Sequence, residues 1–175
     1  MNIKTELESN QIILLLMPSA GYSTLTIDIL KGLAGRSICY VTLNKTHQAL
    51  KDVFQKNEID TKNIFFIDCI SKTIKKCPDI VEGCYFVESP AALTEMSLCI
   101  TKVLAKNVSY IIFDSLTNLL IYEKKAPVAR FVSIISNKIR ETKTKAIFYT
   151  LSITEQEELI KETGMFVDKV IDFGK

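Results

Sequence analysis

Residues Gln11 to Leu30 read QIILLLMPSAGYSTLTIDIL: an apolar run, a turn of small residues, then an amphipathic helical pattern opening on Ser23-Thr24. A turn at the start of a helix can bind phosphate, because converging backbone N–H groups and the positive end of the helix dipole both face the anion. Laid on the phosphate-loop pattern G-x-x-x-x-G-K-[ST], the register runs Leu16, Met17, Pro18, Ser19, Ala20, Gly21, Tyr22, Ser23. The second glycine and the hydroxyl are retained as Gly21 and Ser23, whereas Leu16 replaces the first glycine and Tyr22 the lysine. In an intact loop the lysine gives a full positive charge to the β- and γ-phosphates, and the Ser/Thr hydroxyl joins Mg²⁺. A unit charge at ~4 Å contributes about 4 kcal/mol at an effective dielectric of ~20, before desolvation. Tyr22 offers one neutral O–H instead. The residues Ser19, Ala20, Gly21, Tyr22, Ser23 and Thr24 therefore read as a vestigial nucleotide-binding loop, holding triphosphate weakly or not at all.

A second chemical signal is Tyr110 to Tyr122, YIIFDSLTNLLIY. An apolar strand ends there in Asp114, with Ser115 and Thr117 after it; any buried strand can end in aspartate, so the run by itself assigns no role. Asp68 ends the run NIFFID. Two carboxylates at one sheet edge can share a metal, but a strand-ending Asp more often binds neighbouring backbone N–H groups, and that reading is favoured here. The single histidine, His47, is expected exposed in the first turn of a helix, with no sequence partner to make it catalytic. Cys39, Cys69, Cys77, Cys84 and Cys99 contain no C-x-x-C pair, which argues against zinc. Cys39, Cys69 and Cys99 read as small core residues. Cys77 and Cys84 flank a loop, CPDIVEGC, that could bridge under oxidation. Lys72, Lys75 and Lys76 read as a solvated face rather than a nucleic-acid stripe.

These residues need a frame. Short apolar runs alternate with helical patterns from Gln11 to the end. Strands are expected at Ile12–Leu16, Ser37–Leu43, Ile64–Asp68, Tyr85–Glu88, Tyr110–Asp114, Lys145–Leu151 and Lys169–Phe173. Most are apolar on both faces, as buried parallel strands are. Helices are expected near Ser23–Ala34, Thr46–Lys56, Ala91–Lys106, Pro127–Thr142 and Thr154–Thr163, the last with Thr154 and Glu157 as a capping box. Strand and helix in alternation imply crossover connections and a mostly parallel α/β sheet with helices on both faces. Ligands in such sheets sit beyond the carboxyl ends of the strands. One edge should thus gather Ser19–Ser23, Asn44-Lys45, Asp68-Cys69, Asp114-Ser115 and Leu151-Ser152. Residues 1–10, MNIKTELESN, are expected to be a polar, frayed lead-in, and residues 11–175 a single domain.

The sequence has 175 residues, 47% hydrophobic and 24% charged, with a net charge of +2, which fits one globular domain without the strong positive charge of a nucleic-acid binder. No run reaches the ~18 apolar residues of a membrane span. An odd cysteine count and no signal-peptide pattern point to the reducing cytoplasm.

The segments IILLLMPSAGYSTLTIDIL, SICYVTLNKT, NIFFIDC, YIIFDSLTNLL and FVDKVIDF together resemble the RecA/KaiC superfamily of P-loop ATPases, nearest to its small archaeal, KaiC-like and recombinase-like domains. The resemblance covers roughly Gln11 to Phe173. It implies a three-layer RecA-like sandwich with a degenerate Walker A loop, and it makes Asp114 the Walker B aspartate, the candidate metal residue holding Mg²⁺ through water with Ser115 and Thr117 beside it. It also implies one or two glutamates after the second strand, the first activating the attacking water. Here Asn44-Lys45 follow Leu43; an amide takes up no proton, and a lysine is already charged at neutral pH. Charge stabiliser and base are both missing, so no residue is assigned a catalytic role.

The function expected is a degenerate RecA/KaiC-like domain without ATP hydrolysis, a pseudoenzyme acting as a regulatory or scaffolding protein. No cofactor is expected, with ATP and Mg²⁺ admitted only at low affinity. The expected partners are further copies of the chain or an active KaiC-like paralogue, with neither membrane nor nucleic acid. The alternative is an ATP-binding KaiC-like ATPase, and an ATP hydrolase if active, whose non-standard loop uses Lys45 for the missing lysine.

Overall fold

The six-residue run IILLLM has no exposed position, and it forms an interior strand, paired on both sides. This is a computed structural model that describes residues 3–173. In chain order the elements are α1 (Ile3–Ser9), β1 (Ile12–Met17), α2 (Tyr22–Gly32), β2 (Ile38–Thr42), α3 (His47–Lys56), β3 (Ile64–Asp68), α4 (Ser71–Ile74), β4 (Ile80–Val81) and β5 (Cys84–Phe86). Then follow α5 (Leu93–Leu104), β6 (Tyr110–Asp114), α6 (Leu116–Tyr122), α7 (Lys125–Arg140), β7 (Lys145–Leu151), a 3₁₀ turn (Thr154–Gln156), α8 (Glu157–Gly164) and β8 (Lys169–Asp172). The strands form one sheet in the order β4-β5-β3-β2-β6-β7-β1-β8, parallel throughout except for the β4–β5 pair.

Side chains alternate across a strand, so each strand feeds two cores. Ile12, Leu14 and Leu16 join Val41, Phe113 and Phe148 under α5 to α8. Ile13, Leu15 and Met17 join Tyr40, Ile112 and Tyr149 under α1, α2 and α3. That parity positions the site. Asp114 lies two residues after Ile112 and so shares its face, with Tyr40 paired across from Ile112 on β2. Thr42 is the register partner of both Asp68 and Asp114, and Met17 is that of Leu151, so the predicted residues do collect at the carboxyl edge.

The structure departs from the sequence reading in several places. Residues 3–9 form a helix rather than a frayed lead-in: Ile3 and Leu7, four apart, are buried on one face, and Lys169 pairs with Glu6 at 2.7 Å. Met1 and Asn2 lie outside the described residues. A two-residue edge strand, β4, hydrogen-bonds antiparallel to β5, which ends at Phe86 rather than Glu88. Thr154 caps nothing. The turn it opens is pulled inward by Gln156, whose Oε1 accepts from the Thr117 and Thr150 hydroxyls, both at 2.7 Å.

The start of β1 is held by Asp168, whose carboxylate accepts from the Gln11 and Ile12 N–H groups at 2.8 Å each and pairs with Arg140 at 2.9 Å. Burial raises its pKa, but the Ile12 N–H, Arg140 and the Gln11 N–H outweigh it, leaving it below the usual 3.8. A depressed folded value means that the contribution is fully present above about pH 4 and is lost as pH falls through that lowered value. Thermal melts from pH 5 to pH 3 should therefore show a shallower acid loss for Asp168→Asn than for wild type. Equal slopes would remove Asp168 from the account.

Candidate functional site

Between β1 and α2 the chain turns through Pro18 to Gly21. Gly21 sits at φ 85° and ψ 6°, a left-handed conformation that glycine adopts without Cβ penalty. A Cβ there would meet nothing within 4 Å, so the demand is conformational rather than steric. Leu16, where the loop pattern has its first glycine, lies inside β1 and is buried. Ser19, Ala20, Gly21, Ser23 and Thr24 are exposed at the carboxyl edge, and no side chain caps the first turn of α2.

Tyr22 behaves differently. It is half-buried, its ring meets that of Tyr149 edge-on at a centroid distance of 6.1 Å, and its hydroxyl donates to Asp114 Oδ1. The Tyr40 hydroxyl donates to Asp114 Oδ2 at 2.5 Å, and Asn44 Nδ2 donates to Oδ1 at 3.1 Å. Asp114 is 3% exposed. Burial pushes its pKa above the usual 3.8, while the Tyr22 and Tyr40 hydroxyls, the charge of Lys45 and the Asn44 amide offset part of that rise. Burial, and then the charge of Asp114, push both phenols far above their usual range, so both remain protonated donors.

A carboxylate has about four lone-pair positions. Three are filled here by protein donors, two of them hydroxyls that need only the acceptor they already have. Mg²⁺ requires near-octahedral oxygen ligands and keeps most of its waters. At Asp114 one acceptor position is left, and a second metal-bound water could be accepted only in place of the Tyr22, Tyr40 or Asn44 donor. Beneath the loop Tyr22, Ser23, Tyr40, Asn44, Lys45 and Asp114 line a cavity of about 90 Å³, well below the ~300–1,000 Å³ of small-molecule sites. Among the described residues, no group of three or more His, Cys, Asp or Glu could hold a metal.

The other candidates have structural work. Asp68 is fully buried: Oδ1 accepts from the Ile70 and Ser71 N–H groups at 2.8 Å each, and Oδ2 from the His47 N–H at 2.7 Å and the Ser71 hydroxyl at 2.6 Å. It ties α3 and α4 to β3, as a strand-ending Asp often does, and β2 separates it from the strand of Asp114. Ser115 caps α6 by accepting from the Asn118 N–H, and the peptide before it is cis. Thr117 donates to Gln156.

His47 is not the exposed residue expected. It is half-buried with its ring 4.7 Å from that of Phe66, and burial, then Lys51, lower its pKa against an opposing pull from Asp68. Of the lysine trio, Lys75 and Lys76 are exposed, but Lys72 is largely covered and reaches Asp79 at 2.6 Å. All five cysteines are free, four of them buried, and burial pushes the Cys84 thiol up to about 12.

Sequence reading missed Tyr40 and Tyr149, which sit inside SICYVTL and KAIFYTL and read there as core. A buried tyrosine usually finds a partner for its hydroxyl; Tyr40 has Asp114, and the Tyr149 hydroxyl has none among the described residues.

Sheet order, a loop at the carboxyl end of β1 and helices on both faces define a RecA-like three-layer α/β sandwich. One solved structure with this fold is the KaiC-like protein PH0186 from the hyperthermophilic archaeon Pyrococcus horikoshii OT3. It aligns with a TM-score of 0.66 at 13% identity, over 93% of this chain and 71% of that one. At that identity the likeness concerns the fold. No protein-family model matches the sequence, and no curated protein does. No helix among the described residues is long and apolar enough to cross a membrane.

Proposed function

We propose that this chain is a RecA/KaiC-like domain that does not hydrolyse ATP and acts as a regulatory or scaffolding protein. The observation that carries the reading is the donor set on Asp114. Tyr22 stands at the lysine position and Asn44 at the first glutamate position of the family pattern, and both donate to the carboxylate that would otherwise receive Mg²⁺. The residues that replace the catalytic groups thus converge on one oxygen, Asp114 Oδ1. Charge stabilisation and general-base assistance each supply orders of magnitude in rate, and their joint loss leaves no route to turnover at this site. Phosphate release at millimolar Mg-ATP should match buffer alone. Turnover in wild type that disappears in Asp114→Asn would overturn the proposal.

A second reading has one observation in its favour: Lys45 lines the same small cavity and its charge acts on Asp114. If Lys45 stands in for the missing lysine, Lys45→Ala abolishes nucleotide binding and Tyr22→Ala leaves much of it. The reverse result excludes this version. A homo-oligomer, or assembly with an active paralogue, is the corresponding partner proposal.

A further inference from the structure

The outer helix layer carries a groove that nucleotide chemistry does not use. It lies along the seam of α5 and α7, encloses about 670 Å³ and has a mostly apolar lining. Leu98 and Ile134 line it and are 57% and 42% exposed. Single exposed apolar residues are ordinary, but here Leu93, Pro127 and Phe131 line the same concave surface. Its charges have one sign. Arg130 and Lys138 line it, and no carboxylate does.

Both cations are placed to receive a partner. Lys138 crosses the seam to donate to Ser97 Oγ at 3.2 Å and Thr101 Oγ1 at 2.8 Å. An ammonium has three donors, so one N–H remains while the side chain is already held in position. Arg130 is exposed and makes no ion pair among the described residues, which leaves its forked guanidinium available for a carboxylate. From Ala126 to Lys138 the groove follows α7 for about 18 Å, or roughly three helical turns.

We infer that this groove is a docking site for an acidic amphipathic helix of a partner protein, about three turns long. Its apolar stripe at i, i+3/i+4 and i+7 would lie over Leu98, Phe131 and Ile134, with carboxylates on either side meeting Arg130 and Lys138. Apolar burial supplies affinity, and the paired cations set orientation and exclude basic helices. The site lies in the helix layer across the sheet from Tyr22, so it stands independently of the nucleotide proposal.

Fluorescence anisotropy with a labelled, hydrocarbon-stapled three-turn peptide, leucines on one stripe and glutamates flanking it, tests the inference on the full chain. The expected result is saturable binding, weakened about tenfold or more by Ile134→Glu and several-fold by Arg130→Glu. Added salt should weaken it, and a lysine-flanked peptide of the same stripe should not bind. Ile134 and Arg130 are exposed, and circular dichroism of each variant checks that the fold is kept. Equal binding of acidic, basic and scrambled peptides would overturn the inference, as would indifference to Ile134→Glu. A concentration-dependent dimer in sedimentation that Ile134→Glu abolishes would assign the groove to a second copy of the chain and likewise overturn it.

Discussion

Tyr40→Phe is expected to destabilise the fold by about 2–3 kcal/mol, the upper part of the cost of leaving a buried acceptor short of its donor. Its hydroxyl donates to Asp114 at 2.5 Å, and neither group is exposed enough for water to replace the other. In a domain of this size that corresponds to a fall in Tm of roughly 5–10 °C. The effect should depend on pH. The folded pKa of Asp114 is raised, so its ionisation costs stability as pH rises from 3.8 through the folded value, and the tyrosine donors limit that cost. Removing Tyr40 should therefore hurt more at pH 7 than at pH 4. Tyr149→Phe supplies the comparison. The Tyr149 hydroxyl is buried without a partner among the described residues, so its removal should be neutral or stabilising. Denaturant unfolding of both variants at both pH values measures the contrast. Equal losses would mean that the Asp114 cluster does not hold the site closed.

The second large effect is a gain. Tyr22→Lys should raise affinity for Mg-ATP about a hundredfold. The substitution introduces a unit charge, with ~4 kcal/mol available at ~4 Å before desolvation, and ~1.4 kcal/mol corresponds to each factor of ten. It also frees Asp114 Oδ1 from the phenol that now occupies it. Hydrolysis should not return with binding, because Asn44 cannot act as a base. A folded Tyr22→Lys variant that binds no better than wild type would locate the defect in the backbone instead, with Leu16 in β1 where the loop pattern has glycine.

Much of the frame was legible because apolar runs repeat on a strand scale. IILLLM, ICYVT, YIIFD and KAIFYTL became β1, β2, β6 and β7, and the carboxyl-edge residues followed from parallel crossovers. Tyr22 and Asp114 were each singled out, but their bond was not. Ninety-two residues separate them, and only the sheet order brings α2 over the end of β6. Tyr40 was hidden for the same reason: within a strand it looks like one more large core residue, and its partner becomes visible only with the register. Local signals also yielded to tertiary ones. Thr154 opens a good capping pattern, yet Gln156 is drawn to two threonine hydroxyls and the turn tightens. Ile3 and Leu7 look isolated in a polar segment until α2 offers them a surface.

The central claim is that the Tyr22, Tyr40 and Asn44 donors close the nucleotide site at Asp114. Isothermal titration of the wild-type chain with Mg-ATP tests it most directly. The account predicts no saturable heat below millimolar nucleotide. A micromolar dissociation constant that depends on Mg²⁺ would contradict it.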